Sequence, residues 1–148
     1  MELSKTPPKL KHDPVELVFV RVVTLGHHVE LVPYYHFKIR VKGEFIGHIN
    51  LRIGATRHVE QFAGHVGFNV LEKFRGNNFS YYACLALQPF IKEFYRTVIL
   101  TADPDNKASI RILEKLAAQF LEEVEVPESD PAYAGGARLK RRYLWSMN

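Results

Sequence analysis

Two short polar segments of the sequence carry residues that could bind a phosphorylated ligand. The first, Arg75-Gly76-Asn77-Asn78, lies between a predicted strand that ends at Val70 and a helix predicted to begin near Phe79. A turn that enters a helix presents several backbone N–H groups in one direction, and the helix dipole adds positive potential there. Gly76 lets the backbone approach a ligand closely, and Arg75 adds a charged donor. The segment favours a diphosphate ligand, but a plain strand-to-helix connection explains these residues equally well.

The second segment runs from Asp103 to Leu116, where a short strand leads into a helix with Asn106 and Ser109 in its first turn. When two neighbouring parallel strands each lead into a helix, a crevice forms at their carboxyl ends. A long, thin cofactor would fit between the two helices. Taken by themselves, Asn106 and Ser109 favour the simpler interpretation, in which they only cap the helix.

The hydrophobic pattern predicts a mixed α+β fold, in which an antiparallel meander is joined to one parallel crossover. Lys42-Gly43 predicts a hairpin turn, and Pro89 predicts a kink or an early stop in the first helix. Residues 56–61 and 129–136 are predicted to be polar connections. The predicted strands are residues 15–23, 34–41, 45–53, 64–70, 97–102, 120–126 and 142–147, and the predicted helices are residues 79–95 and 106–119.

Length and composition predict one domain. The chain has 148 residues, of which 1–14 are expected to form a flexible arm and 15–148 the domain. The single cysteine, Cys84, lies in an apolar helical pattern and is expected to be a buried thiol rather than a nucleophile. One cysteine excludes a disulfide within the chain, and no apolar run has the length of a membrane span. We therefore expect a cytoplasmic protein. We also expect no metal site.

The charge of the chain favours anionic partners. The formal net charge is +4, which suits either nucleic acid or a phosphate-bearing cofactor. The basic residues are scattered except for Arg138–Arg142, which we interpret mainly as the solvated start of a strand. Because no nucleic-acid recognition motif accompanies this cluster, a nucleic-acid-binding module is a distant alternative.

Together, the two polar segments resemble the GNAT acetyltransferases. The phosphate motif of that family, Q/R-x-x-G-x-G/A, corresponds to residues 73–78 of this chain. The branch that acetylates ribosomal-protein N-termini often carries RGxGYA, which here reads Arg75-Gly76-Asn77-Asn78-Phe79-Ser80. A later N-x-x-S-x-x-x-L-E-K-L pattern of that branch is matched from Asn106 to Leu116. The resemblance covers about residues 34–147 and extends to a group of short, poorly characterised GNAT-like proteins.

The resemblance implies the acyl-CoA N-acyltransferase fold, acetyl-CoA or CoA as cofactor, and an amine acceptor that attacks the thioester directly. It implies that a backbone N–H around Phe68–Val70 polarises the thioester carbonyl, and that Ser109 protonates the leaving thiolate or hydrogen-bonds its sulfur. The cofactor-binding residues that it implies are Phe68, Val70, Lys73, Arg75, Gly76, Asn77, Asn78, Phe79, Ser80, Asn106 and Ser109.

The chain departs from the family pattern at several positions. Lys73 replaces Gln or Arg, and Asn78 replaces a small Gly or Ala. The general-acid tyrosine that many relatives carry seven residues after the helix asparagine falls at Leu113. Residues 26–33 leave no room for the two helices that relatives insert after the first strand, which normally build much of the acceptor pocket. A non-catalytic acyl-CoA-binding protein is therefore the first alternative to an enzyme.

A second candidate site lies on one face of the predicted meander, which we call the polar face. If the predicted register is right, its members are His36, Lys38, Arg40, His48, Asn50, Arg52, His65 and Asn69. We predict that His36, Arg40, His48, Asn50 and Arg52 bind an acceptor that carries carboxylate or phosphate, and that His65 is the catalytic base. An ordinary solvated face or a dimer contact explains the same alternation equally well. The exposed final strand could pair across a two-fold axis in a homodimer.

Overall fold

The computed structural model describes residues 5–24 and 30–148 of the chain. Within them it places two short helical segments, a π-helical one at His58–Ala63 and a 3₁₀ one at Glu72–Phe74. The α-helices are α1 (Phe79–Ile91), α2 (Lys107–Lys115) and α3 (Pro131–Ala134). The strands are β1 (Leu10–His12), β2 (Val15–Val23), β3 (Tyr34–Val41), β4 (Glu44–Arg52), β5 (Val66–Val70), β6 (Thr97–Ala102), β7 (Gln119–Glu125) and β8 (Leu139–Ser146).

The strands form two antiparallel sheets that meet at one point. The first sheet has the order β1-β2-β3-β4-β5, and the second has the order β6-β8-β7. The crossover β5-α1-β6 joins them, and the His65 N–H donates to the Ile99 carbonyl at 2.8 Å where they meet. The sequence predicted that this crossover would join two parallel strands of one sheet. Among the described residues β5 and β6 form no ladder, because they separate beyond this contact.

The main core lies between α1 and the first sheet. Alternate residues of β3, Tyr35, Phe37 and Ile39, face α1 and are buried, as the period-two pattern predicted. Cys84 is fully buried in α1, and burial raises the pKa of its thiol to about 12. The thiol is therefore protonated at neutral pH, which confirms the prediction of a structural cysteine.

Most predicted elements are present, with differences at their ends. α1 ends at Ile91, two residues beyond Pro89 and earlier than predicted, because proline cannot donate to the preceding turn. α2 ends at Lys115 rather than near residue 119, because Ala117 adopts a left-handed conformation with φ of 61°. No helix in the described part of the chain is both long and apolar enough to cross a membrane.

The expectation of a flexible arm over residues 1–14 is corrected in part. Residues 10–12 form β1, which pairs with β2, and Leu10 is buried in the core. Two further polar connections are helical: the π-helical segment, and α3, which Asp130 caps by accepting from the Ala132 N–H at 2.9 Å. Residues 26–33 fall partly outside the described residues, and ten residues connect β2 to β3.

The final strand cannot form the predicted dimer contact. β8 lies between β6 and β7, so its backbone bonds to a strand on either side. β8 also begins at Leu139, three residues earlier than predicted. The neighbour of β8 on one edge of this sheet is β7. This strand carries three glutamates, which would repel the same strand of a second copy placed beside it.

Candidate functional site

A crevice opens between the carboxyl ends of β5 and β6, where the chain continues into α1 and α2. Its volume is about 720 Å³. One wall consists of β5 and the turn before α1, and the other wall is one face of α2. Nine of the eleven predicted cofactor-binding residues line the crevice: Phe68, Val70, Arg75, Gly76, Asn78, Phe79, Ser80, Asn106 and Ser109.

The turn before α1 is shaped by two residues with left-handed backbone conformation. Gly76 has a φ of 89° and Asn78 a φ of 61°, and glycine and asparagine tolerate this region best. Asn78 directly precedes α1, so the first N–H groups of the helix, at Phe79 and Ser80, lie at the crevice wall. These N–H groups have no carbonyl partner within the helix, and the helix dipole adds positive potential. The turn can therefore bind an anionic group.

The structure does not bring Lys73 and Asn77 to the crevice. The Lys73 Nζ lies over the ring of Phe74, 5.0 Å from its centre. The Asn77 Nδ2 donates to the Phe74 carbonyl at 3.0 Å, so this side chain braces the turn. Arg75 does line the crevice, and its Nε donates to the Val70 carbonyl at 2.9 Å. This bond fixes the guanidinium against the end of β5.

Asn106 has the capping role that the sequence favoured. Its Oδ1 accepts from the Ser109 N–H at 3.1 Å, which is the usual bond of an N-cap residue. Both residues also line the crevice. Capping therefore places a side-chain amide and a hydroxyl at the crevice wall.

Two cations of the crevice were missed by the sequence analysis. Arg111 and Lys115 lie one turn apart on α2 and both line the crevice. The signal was present, because positions 108, 111, 112 and 115 repeat at the spacing of one helix face. The other lining residues that the structure adds are Asn69, Phe74, Ala108 and Ile112.

The hydrogen bonding of β5 turns two backbone N–H groups away from β4. The Leu71 N–H donates to the Ile46 carbonyl of β4 at 2.9 Å. Every second residue of an antiparallel strand bonds to its partner, so Phe68 and Val70 direct their N–H groups to the opposite side. Both residues line the crevice on that side. The crevice therefore combines an anion-binding turn with strand N–H donors.

The family model described as an acetyltransferase (GNAT) domain matches residues 20–119, which run from within β2 to the start of β7. The chain belongs to the GNAT acetyltransferase family. No protein among the curated ones matches it in sequence.

Solved structures share the GNAT fold at low sequence identity. The microcin C7 self-immunity acetyltransferase MccE, in complex with acetyl-CoA and AMP, has a TM-score of 0.59 at 14% identity over 76% of this chain and 61% of its own. The Salmonella typhimurium acetyltransferase that modifies the N-terminal serine of ribosomal protein L7/L12 has a TM-score of 0.60 at 15% identity, over 78% and 64%. Mycobacterium smegmatis RimJ, in complex with CoA-disulfide, has a TM-score of 0.59 at 15% identity, over 76% and 53%. The chain thus spans between about half and two thirds of the length of these structures.

The position of the usual GNAT tyrosine does not face the crevice in this chain. Leu113 is 1% exposed and belongs to the hydrophobic core. The neighbouring positions on α2 that do face the crevice are Ser109 and Ile112. On this wall the hydroxyl therefore comes from Ser109.

The prediction that His65 is the catalytic base is wrong. The residue is 3% exposed and lies away from the crevice lining. Its Nδ1 accepts from the Ile99 N–H at 2.9 Å, and its ring packs 4.6 Å from that of Tyr95. Burial lowers the pKa of His65, although the Glu60 carboxylate 3.8 Å from Nε2 partly opposes this effect. His65 instead holds β5 to β6 where the sheets meet.

The predicted register of the polar face is confirmed. Lys38 lies opposite His48, His48 lies opposite Asn69, and His36 lies opposite Asn50. The rings of His36 and His48 stack at 4.7 Å, and the His36 Nδ1 is 2.6 Å from the Asn50 Oδ1. Burial, followed by the nearby His36 and Lys38, lowers the pKa of His48. Asn69 also lines the crevice, so the polar face and the crevice are contiguous.

Arg52 does not fit the predicted acceptor-binding role. Its Nη1 donates to the carbonyls of Ala63 and Gly64, at 3.3 and 3.1 Å, beneath the π-helical segment. Burial is the main cause that lowers the pKa of its guanidinium. Arg52 therefore fixes the end of the π-helical segment. Arg40 remains on the polar face, opposite Glu16 of β2.

The basic cluster near the end of the chain makes contacts within the fold. Its members bind carbonyls, carboxylates or aromatic rings of the same chain. Arg138 donates to the Tyr133 carbonyl, Lys140 pairs with Asp103, Arg141 lies over the Phe120 ring, and Arg142 donates to the Glu60 carbonyl and pairs with Glu122. The nucleic-acid alternative thereby loses its main support.

Proposed function

We propose that the chain is an acetyl-CoA-dependent N-acetyltransferase that transfers the acetyl group directly to an amine acceptor. The observation that carries the proposal is that both GNAT motif segments meet at one crevice, the turn before α1 on one wall and α2 on the other. MccE and the mycobacterial RimJ were crystallised with acetyl-CoA and with CoA-disulfide. Their shared fold supports the same cofactor here.

The chemistry of the crevice fits CoA. The N–H groups at the start of α1 and the cations Arg75, Arg111 and Lys115 are suitable donors for its phosphates. Apolar side chains such as Phe68 and Ile112 suit the alkyl parts of its pantetheine arm. The volume of about 720 Å³ is also in the range of ligand sites.

The residues of the chain have distinct roles in this proposal. Bound acetyl-CoA supplies an activated thioester. We assign the N–H groups of Phe68 and Val70 to the thioester carbonyl, where they stabilise the negative charge that develops on its oxygen. We assign the Ser109 hydroxyl to the sulfur, where it can donate to the leaving thiolate. A carbon–nitrogen bond forms and the carbon–sulfur bond breaks. The amine proton passes to water, the thiolate takes the Ser109 proton, and water returns a proton to Ser109.

The polar face is the proposed side of acceptor approach. It adjoins the crevice at Asn69, and its members His36, Arg40, His48 and Asn50 supply positive charge and donors. An acceptor with a carboxylate or phosphate group suits this surface. Direct attack needs a neutral amine at the crevice. The polar face can bind an anionic group of the same acceptor while its amine reaches the crevice.

Replacing Ser109 with alanine is expected to lower kcat by about tenfold to a hundredfold, because a positioned proton donor typically contributes this much or more. The KM for acetyl-CoA should change little, since the capping bond uses the backbone N–H of this residue. The measurement is thiol release from acetyl-CoA with a panel of amines, with the acetylated product identified by mass spectrometry. Ser109→Thr keeps the hydroxyl and should retain most of the rate. An unchanged kcat in the alanine variant would remove Ser109 from the chemistry.

A non-catalytic acyl-CoA-binding protein is the second candidate function. Leu113 is buried where relatives carry the tyrosine, and His65 cannot act as a base. Both observations favour binding without turnover. If acetyl-CoA binds with micromolar affinity and no amine on the panel is acetylated, this second function replaces the first.

Removing the charge of Arg111 or Lys115 is expected to weaken CoA binding about threefold to tenfold, because a partly exposed ion pair contributes roughly 0.5–1.5 kcal/mol. The effect should shrink as salt rises. Calorimetric titration of Arg111→Ala and Lys115→Ala with CoA at low and high salt measures it. Lys107→Ala is the matched control, because Lys107 lies on the same helix and outside the crevice lining. Equal weakening in the control would show that only the overall charge matters.

A further inference from the structure

The polar face extends from the crevice across four strands. The register places Asn69, His48, Lys38 and Val18 in one row that runs from β5 to β2. Gly67, Asn50, His36 and Arg21 form the next row. Neighbouring strands lie about 4.8 Å apart, so each row spans roughly 14 Å. A ligand that meets both ends of a row must be longer than a small amine.

Positive charge is concentrated at the far end of these rows. Arg21 and Lys38 are exposed, and Arg40 lies beside Lys38 on the same face of β3. In the register row beside Lys38, Arg40 lies opposite the carboxylate of Glu16. The face therefore has a net positive charge, at about 10–14 Å from the crevice by strand spacing.

The aromatic rings of the face contact one another. His36 stacks on His48, the Phe45 ring meets His48 edge-on at 5.0 Å, and the Lys38 Nζ lies 5.9 Å from the Phe45 ring centre. Sheets that bind single-stranded nucleic acid offer aromatic ring faces on which successive bases stack. The rings here are already paired, so the face suits carboxylates better than bases.

The geometry points to an extended, acidic polypeptide segment as the acceptor, with its amine at Asn69 beside the crevice and its acidic side chains at Arg21, Lys38 and Arg40. An extended chain advances about 3.3 Å per residue. A distance of about 10–14 Å then corresponds to roughly three to four steps along the chain, that is, to the fourth or fifth residue counted from the amine. The claim that the amine reaches the crevice rests on the proposed acetyl transfer. The claim that the acidic segment binds the polar face does not depend on it.

Docking is measured by fluorescence anisotropy with a labelled peptide that has a free N-terminus, Ser-Ala-Glu-Glu-Glu-Ala. A peptide with glutamine in place of the glutamates should bind about tenfold more weakly, because one to two partly exposed charge contacts are lost in total. The double variant Arg21→Glu with Lys38→Glu should weaken the acidic peptide at least as much. Lys92→Glu is the control, because Lys92 is also exposed and lies directly after α1, away from the polar face. The control should change binding less than twofold.

Three results would overturn the docking proposal. The first is that the acidic and glutamine peptides bind equally well. The second is that the double variant and Lys92→Glu weaken binding equally. The third is that a single-stranded oligonucleotide displaces the labelled peptide at a lower concentration than unlabelled acidic peptide does. CoA affinity of the double variant should equal that of the unmodified chain, which shows that the fold and the crevice are intact. If the acidic peptide binds selectively, CoA binds, and no peptide is acetylated, docking is supported and the proposed acetyl transfer fails.

Discussion

Replacing Gly76 with valine is expected to reduce acetyl-CoA affinity by about a hundredfold or more. Gly76 has a φ of 89°, and a β-branched residue in this region costs roughly 1–3 kcal/mol. A Cβ at this position would meet no protein atom within 4 Å, so the loss does not come from a clash within the chain. The turn would relieve the strain by rotating its peptide groups, which would turn the N–H donors away from the crevice. Calorimetric titration with acetyl-CoA and with CoA measures the change.

The hairpin glycine Gly43 provides a matched control for this experiment. It has a φ of 79°, and a Cβ there also meets no atom within 4 Å. Gly43 lies between β3 and β4 and outside the crevice lining. Gly43→Val should therefore lose a similar amount of stability to denaturant while keeping its affinity for acetyl-CoA. If both variants keep full affinity, the turn at Gly76 is a plain connection, and the proposed cofactor site is wrong.

Local patterns were sufficient to predict the strands of the meander and nine of the residues that line the crevice. The alternation in β3 and β4 set the register of the polar face, because a shift of one residue would expose Ile39 and Ile49. The crevice residues were found because Gly76 and Asn106 are special positions of a turn and a helix start. Arg111 and Lys115 were missed because charged residues on a helix usually indicate only a solvated face.

The roles of His65 and Arg52 could not be predicted from the alternation of the strands. The alternation correctly placed Arg52 on the polar side of β4 and His65 on the polar side of the chain that leads into β5. Both side chains would have been accessible if no segment covered this part of the polar face. The segment over them, residues 58–63, overlaps residues 56–61, which the sequence predicts to be a polar connection. In the structure it is π-helical and ends above Arg52, whose guanidinium binds its last carbonyls. Burial by a segment outside the strands thus decides whether a polar residue is functional or structural.

Replacing His65 with alanine is expected to lower the free energy of unfolding by about 2–4 kcal/mol, because the Ile99 N–H loses its buried acceptor and the ring leaves a cavity beside Tyr95. His65→Asn should recover much of this loss, because its Oδ1 can occupy the place of the Nδ1. Urea denaturation measures stability, and acetyl-CoA titration and turnover measure function. Both variants should keep cofactor affinity and rate under conditions where they are folded. A folded His65→Asn variant without turnover would restore His65 as the base.

The pH dependence of these variants gives a second test of the same assignment. Burial holds the pKa of His65 below its ordinary value of 6.5, so the unfolded chain binds a proton at this residue more readily than the folded chain does. Stability from neutral His65 is therefore fully present above about pH 6.5 and is lost as the pH falls from there towards the folded pKa. Asparagine does not titrate, so the stability advantage of the unmodified chain over His65→Asn should shrink as the pH falls below 6.5. The pKa of His48 is lowered too, but His48 is present in both proteins and cancels from the difference. A difference that stays constant from pH 7.5 to pH 5 would mean that His65 is not buried as a neutral acceptor.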